Sequence, residues 1–68
     1  MSIEEAMVFI LSSEGYGMSA ETLAAKISRQ GLYTRRDGMP VNTKQIWAAF
    51  FRHPEVFVRD GRLIRLII

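Results

Sequence analysis

The chain has 68 residues, 49% of them hydrophobic, and its nine basic and seven acidic side chains give a formal net charge of +2. This length predicts a single domain spanning residues 1–68, and the absence of cysteine excludes disulfides and thiolate metal sites. No apolar run reaches the roughly 18 residues of a membrane-spanning helix, and the first residues lack the basic start of a signal peptide. We therefore expect a cytoplasmic protein that does not bind membranes.

A first helix is predicted near the start of the chain. Ser2 and Glu5 have the spacing of a capping box, in which each side chain bonds the other residue's backbone amide. Apolar residues then recur at helical spacing, at Ile3, Ala6, Met7, Ile10 and Leu11. The glycine-rich segment 14–17 ends this helix.

A second helix follows directly. Ser19 is its predicted N-cap, apolar residues repeat at helical spacing as far as Gln30, and Gly31 ends it. The segment 16–18, between the two helices, is a candidate short strand that pairs with a later hairpin.

A long loop, residues 31–41, precedes the third helix. Asp37 and Gly38 are typical turn residues, and Pro40 disfavours helix in the residue before it. The loop is much longer than the turn of a compact helix-turn-helix motif, so a functional role for it is expected.

The third helix begins after Asn42, with Gln45 completing a second capping box, and ends before Pro54. Helical spacing places Ile46, Ala49, Phe50 and His53 on one face, and Lys44, Ala48 and Arg52 on the opposite face with Gln45 at its edge. Trp47 and Phe51 lie between the two faces as neighbours one turn apart.

A β-hairpin is predicted at the end of the chain. Asp60 and Gly61 separate two runs of β-branched and aromatic residues, which favours a two-residue type I′ turn. That register places Arg59 opposite Arg62, with Val58 opposite Leu63 and Phe57 opposite Ile64. Phe57, Ile64 and Leu66 then share the core face. The predicted fold is α+β, a small winged helix-turn-helix with three helices and a C-terminal hairpin wing.

The sequence offers little for catalysis. His53 is the only histidine, and an isolated histidine at a helix end is more often a packing residue than a base or metal ligand. There is no Cys/His cluster, no glycine loop for phosphates and no carboxylate pair at a useful spacing. We therefore predict a protein that is not an enzyme, with no metal, no cofactor and no small-molecule substrate.

Charge is distributed unevenly along the chain. Residues 1–30 carry a net charge of −2 (four acids, two bases) and residues 31–68 carry +4 (seven bases, three acids). This polarity favours an anionic partner for the second half, although an ordinary solvated surface explains so small an excess equally well. The candidate contacts to double-stranded DNA are Lys44, Gln45, Arg52, Arg59, Arg62, Arg35 and Arg36. In a winged helix the third helix enters the major groove while the wing and loops hold phosphates, and Gln45 is a candidate adenine reader.

The alternative is a protein–protein interaction module or a homodimer. Its candidate contacts are Trp47, Phe51, Val58 and Leu63, on the third helix and the outer face of the wing. A contiguous apolar surface of this kind is typical of protein interfaces. Trp47 in particular is more often packed against protein than stacked on a base.

The order of these elements resembles a known family. The resemblance is carried by Met-Ser-Ala-Glu-Thr-Leu-Ala-Ala-Lys-Ile at 18–27, Gly-Leu-Tyr at 31–33, Arg-Arg-Asp-Gly-Met-Pro-Val at 35–41, Gln45-Ile46, Pro54, Phe57 and Gly-Arg-Leu-Ile-Arg-Leu at 61–66. On these residues the chain resembles the HARE-type winged helix-turn-helix domains of some restriction endonucleases, chromatin-associated proteins and the delta subunit of bacterial RNA polymerase. The resemblance implies a DNA-binding or transcription-linked accessory role and makes the long second loop normal. The chain is more apolar at 47–51 than similar bacterial sequences.

Overall fold

The computed structural model describes residues 1–67 and contains three α-helices and three short β-strands. In chain order they are α1 (Ile3–Glu14), β1 (Met18–Ser19), α2 (Ala20–Gln30), α3 (Thr43–Arg52), β2 (Phe57–Asp60) and β3 (Leu63–Leu66). The strands form one antiparallel sheet in the order β1-β3-β2. The predicted α+β fold, three helices with a C-terminal hairpin wing, is confirmed. Over the described residues, no helix combines the length and apolarity needed to cross a membrane.

The first two helices begin where the sequence predicts, because polar side chains satisfy their first backbone amides. At α1, the Glu5 amide donates to Ser2 Oγ at 3.3 Å, and the Ser2 amide donates to Glu5 Oε1 at 2.8 Å. At α2, the Thr22 amide donates to Ser19 Oγ at 3.1 Å. These amides have no partner inside their helices, so the caps fix the starting residues.

The core lies where the three helices meet the inner face of the sheet. Its largest fully buried side chains are Met7, Ile10, Leu23, Ile27, Ile46 and Ile64. Both α1 and α2 pack against α3, which buries Ile46 and Ala49 completely. Within residues 1–67 no buried side-chain nitrogen or oxygen lacks a hydrogen-bond partner. The core thus holds α3 by one face and leaves its opposite face in solvent.

The short strand predicted between α1 and α2 is confirmed, slightly later in the chain. Met18 pairs with Ile64 and Ser19 with Leu63. Gly17, immediately before it, lies so close to β3 that an added Cβ would be 3.2 Å from the Ile64 carbonyl oxygen. This is closer than ordinary van der Waals contact, so a residue without a side chain fits best here.

The hairpin register differs from the predicted one. Asp60 pairs with Leu63, so the loop consists of Gly61 and Arg62 rather than Asp60 and Gly61. Gly61 has a φ of 63°, and Arg62 has no positive φ, which fits a type II′ turn with glycine in the first central position. The predicted type I′ turn is wrong. It would require a positive φ at Asp60 as well, whereas the observed loop requires one only at glycine.

The new register moves every strand partner two positions along β3. Phe57 pairs with Leu66, and Arg59 pairs with Ile64. Because side chains alternate between faces with a period of two, Phe57, Ile64 and Leu66 still share the core face. The predicted placement of Arg59 opposite Arg62 is wrong, since Arg62 occupies the turn.

Candidate nucleic-acid interface

The solvent-facing side of α3 is basic at both ends and apolar in the middle. Its exposed side chains are Lys44, Ala48, Phe51 and Arg52. Phe51 is 69% exposed, more than any other large hydrophobic residue of the described chain. No acidic residue lies in the first turn, and Arg52 lies in the last. The helix therefore presents a cation, an apolar centre and a second cation along one side.

The capping box that starts α3 uses the side chain of a predicted DNA contact. The Gln45 amide donates to Asn42 Oδ1 at 2.9 Å, and Gln45 Oε1 accepts from the Asn42 amide at 3.2 Å. The predicted cap is confirmed. Because bidentate pairing with adenine needs both the oxygen and the nitrogen of the glutamine amide, Gln45 would have to release this cap to read a base.

A cluster of aromatic side chains packs the second half of α3 against the sheet. The rings of Trp47 and Phe50 meet edge to face with centroids 5.3 Å apart, and Phe50 stacks on Phe57 of β2 at 6.5 Å. Trp47 is half-buried by this packing, while Phe51 covers its outer side with centroids 6.1 Å apart. Trp47 is therefore largely a structural residue, and the exposed aromatic surface belongs mainly to Phe51.

The two adjacent arginines of the loop before α3 have different environments. Arg35 Nη2 lies 2.7 Å from Asp37 Oδ2, and Arg35 Nη1 donates to the Pro40 carbonyl at 3.3 Å. Asp37 Oδ1 also accepts from the Met39 amide at 3.0 Å. This amide, helped by Arg35, holds the pKa of the Asp37 carboxyl below its usual range. Arg35 thus bonds to two other residues of the loop and stabilises its conformation, whereas the Arg36 side chain is exposed to solvent.

The end of the same loop is attached to α2. The Val41 amide donates to Ser28 Oγ at 3.1 Å, and the Val41 side chain is buried. This contact joins residues 13 positions apart and sets where the chain enters α3. Nothing in the local pattern around Ser28 predicts it, because a serine inside a helix usually bonds to its own helix or to water.

The wing carries the remaining cationic candidates. Arg59 and Arg62 are exposed, one on β2 and the other in the turn. Arg65 is also exposed but pairs with Val58 on the outer face, away from Arg59. The stacked pair of Phe50 and Phe57 joins the base of the wing to α3, so the wing and the outer side of α3 belong to one packed unit.

The cationic candidates differ in whether they form ion pairs. The pairs within residues 1–67 are Lys26–Glu14, Arg35–Asp37, His53–Glu4 and His53–Glu55. Of the six cationic candidates, five take part in no ion pair with any described residue: Arg36, Lys44, Arg52, Arg59 and Arg62. Of the acids of α1 and α2, Glu14 is matched by Lys26 at 3.4 Å, and Glu4 lies 3.8 Å from His53 at the end of α3. The unpaired positive charge is thus concentrated on α3, the wing and the loop before α3.

Comparison of the chain with protein-family models, curated proteins and solved structures found no match. The resemblance to HARE-type domains therefore stays a prediction.

His53 joins the end of α3 to α1 and to the following turn. Its Nε2 lies 3.8 Å from Glu4 Oε1, and its Nδ1 lies 3.4 Å from Glu55 Oε2. The Glu55 amide and the His53 ring both lower the pKa of the Glu55 carboxyl. In the part of the chain that the structure describes, no three metal-ligating side chains converge. A structural role accounts for these contacts.

The residues predicted for a protein interface are only partly exposed. Phe51 and Leu63 are 69% and 43% exposed, whereas Trp47 and Val58 are half-buried. Val58 lies opposite Arg65 rather than Leu63. The apolar outer surface is therefore interrupted by a charged side chain on the wing.

Proposed function

We propose that this chain is a DNA-binding winged-helix domain that places the outer side of α3 against duplex DNA, with the wing and the loop before α3 on the phosphates. The observation that supports this best is the group of five exposed cations without ion pairs: Arg36, Lys44, Arg52, Arg59 and Arg62. Phosphate neutralisation by such side chains supplies most of the affinity of DNA-binding domains.

The local sequence also suits an approach to a polyanion. Residues 38–54 include Lys44 and Arg52 but no aspartate or glutamate. The N-terminal end of α3 carries the positive end of the helix dipole, and Lys44 lies in its first turn. The helix itself therefore carries no carboxylate that would repel phosphates.

The proposed role is that of an accessory module, which brings another activity to DNA. The exposed cations suit phosphate contact, and the ring nitrogens of His53 lie beside the carboxylates of Glu4 and Glu55. Such a domain contributes position and affinity while the chemistry is carried out by another domain or protein.

The proposal is tested by titrating a fluorescent mixed-sequence duplex of about 20 base pairs at about 50 mM salt. Arg59→Ala and Arg62→Ala should each weaken binding and lower the magnitude of the salt slope by about 1, as expected for a lost phosphate contact. Arg65→Ala is the matched control, because this arginine lies in the same hairpin but faces the other side. An equal loss of affinity for Arg65→Ala would refute the assignment of Arg59 and Arg62 to the DNA-facing side of the wing. If the wild type does not bind the duplex at all, the proposed function is refuted.

A second candidate function is a protein–protein interaction module, favoured by the exposure of Phe51 and Leu63. It predicts self-association that is weakened by Phe51→Ala. Sedimentation of a monomer at high concentration would count against self-association. For a different protein partner, capture that is unaffected by Phe51→Ala would count against this surface.

A further inference from the structure

The most exposed large apolar side chain of the described residues lies on the outer side of α3, in its last turn. Phe51 is 69% exposed although its ring is close to Trp47 and Phe50. Ala48, one turn earlier, is also exposed. Neither side chain contributes to the phosphate contacts of the proposed function, so their exposure on the outer side of α3 has a separate explanation.

The spacing of α3 places these two residues between the cations. Lys44, Ala48 and Phe51 occur at i, i+4 and i+7, which is one stripe on a helix surface. Lys44 and Arg52 are separated by about 12 Å along the axis at a rise of about 1.5 Å per residue. Two cations at this distance lie on either side of the apolar pair along the axis and can each reach a phosphate there.

The apolar centre has a natural counterpart in DNA. In the major groove, the apolar group presented by the four standard bases is the C5-methyl of thymine, and alanine and phenylalanine are among the side chains that contact it. Ala48 and Phe51 are about 4.5 Å apart along the axis, close to the spacing of about 3.4 Å between successive bases. The pair can therefore meet methyl groups at two neighbouring positions.

On this basis we propose that Ala48 and Phe51 are the specificity-determining residues of the domain, and that they recognise the methyl groups of two adjacent thymines. The inference rests on the proposed DNA-binding function. It assigns sequence preference to apolar contacts on the outer side of α3, while Lys44 and Arg52 bind phosphate. Gln45 is not needed for this preference, since its side-chain oxygen remains in the cap with Asn42.

The test compares three duplexes of equal length at about 50 mM salt: one rich in A·T pairs, the same duplex with deoxyuridine for every thymidine, and a G·C duplex. Deoxyuridine lacks only the methyl group and keeps the same hydrogen-bonding edges. Loss of one buried methyl contact corresponds to about a fourfold change in affinity, so two give about fifteenfold. The thymine duplex should therefore bind about fifteenfold more tightly than the uracil duplex.

Two variants assign the effect to the helix. Phe51→Ala should reduce the thymine-to-uracil ratio to about fourfold, while Phe51→Leu keeps an apolar group and should retain most of it. Phe9→Ala is the matched control, because Phe9 is a phenylalanine on α1 that is also exposed, at 45%. Thermal melting of each variant shows whether it is folded. The comparison of the thymine and uracil duplexes with the wild-type protein tests the inference even if a variant does not fold.

Equal affinity of the wild type for the thymine and uracil duplexes would overturn the inference while leaving the proposed function intact. Preference for the G·C duplex would also overturn it, since Lys44 or Arg52 would then be reading guanine. Tighter binding to the separated strands of the thymine duplex than to the duplex itself would also overturn it, since the helix would then offer a stacking surface. Absence of binding to all three duplexes would refute the proposed function itself.

Discussion

Substitution of Gln45 by glutamate should separate the stability of the domain from its binding to DNA. A glutamate at this position can accept the same bond from the Asn42 amide that Gln45 Oε1 accepts at 3.2 Å, and charge strengthens such a bond. The first turn of α3 contains no acid, so the added carboxylate also interacts favourably with the helix dipole. This interaction is worth roughly 0.3–1 kcal/mol.

For a domain of this size that gain corresponds to a rise in melting temperature of roughly 2–6 °C. Binding should change in the opposite direction. A carboxylate about 6 Å from one phosphate in water is repelled by about 0.7 kcal/mol, or roughly threefold in affinity, and further phosphates add to this. Gln45→Glu should thus melt higher than the wild type and bind duplex DNA at least about threefold more weakly.

Thermal melting followed by circular dichroism and duplex titration at about 50 mM salt measure the two effects. Gln45→Ala serves as the control, because it removes the cap acceptor without adding charge. It should melt lower and bind nearly as well as the wild type once folded. A lower melting temperature for Gln45→Glu would refute the role of Gln45 in the cap, and unchanged binding would refute the position of the α3 N-terminus beside phosphates.

Two further predictions concern the loop before α3 and the approach of β1 to the sheet. Because the Met39 amide lowers the pKa of Asp37, the loop's contribution to stability is complete above the ordinary pKa of an aspartate and is lost as pH falls through the lower folded value. The Met39 amide resonance should follow that low midpoint and lose its pH dependence in Asp37→Asn; a midpoint at or above that of an unstructured aspartate would contradict this. Gly17→Ala should destabilise the fold by about 1–3 kcal/mol in chemical denaturation, since its Cβ would be 3.2 Å from both the Ile64 oxygen and Arg65 Cβ; unchanged stability would show that β3 can move away.

The helices could be predicted from the sequence because their signals are local. Ser2 with Glu5, and Asn42 with Gln45, are three residues apart, and the bonds they form depend on little beyond that spacing. The buried face of α3 likewise follows from the spacing of Ile46 and Ala49 alone.

The hairpin register could not be predicted in the same way. An Asp-Gly pair suits a type I′ turn, but the choice also depends on whether Asp60 extends β2 or enters the loop. The observed pairing of Arg59 with Ile64 and of Phe57 with Leu66 requires a positive φ only at Gly61. The faces of the strands were nevertheless predicted correctly, because the error was two residues rather than one.

The candidate interface shows the same division. Its cationic residues could be predicted from the sequence, but the sequence did not show that Arg35 is paired within the loop while Arg36 is exposed. Two adjacent arginines look equivalent, and only the folded loop brings the Asp37 carboxylate and the Pro40 carbonyl to Arg35. The dual position of Gln45, at the edge of the outer face and in the cap, was visible from spacing, and the bond from the Asn42 amide to its side-chain oxygen was predicted with the cap.

The central claim is that the exposed cations of α3, the wing and the loop before α3 hold duplex DNA. The salt dependence of wild-type affinity for a mixed-sequence duplex tests it most directly. Five phosphate contacts predict a slope of about −4.5 for log affinity against log salt, or a loss of about 500-fold between about 50 and 200 mM. An affinity that does not change with salt, or no measurable binding at the lower concentration, would contradict the claim.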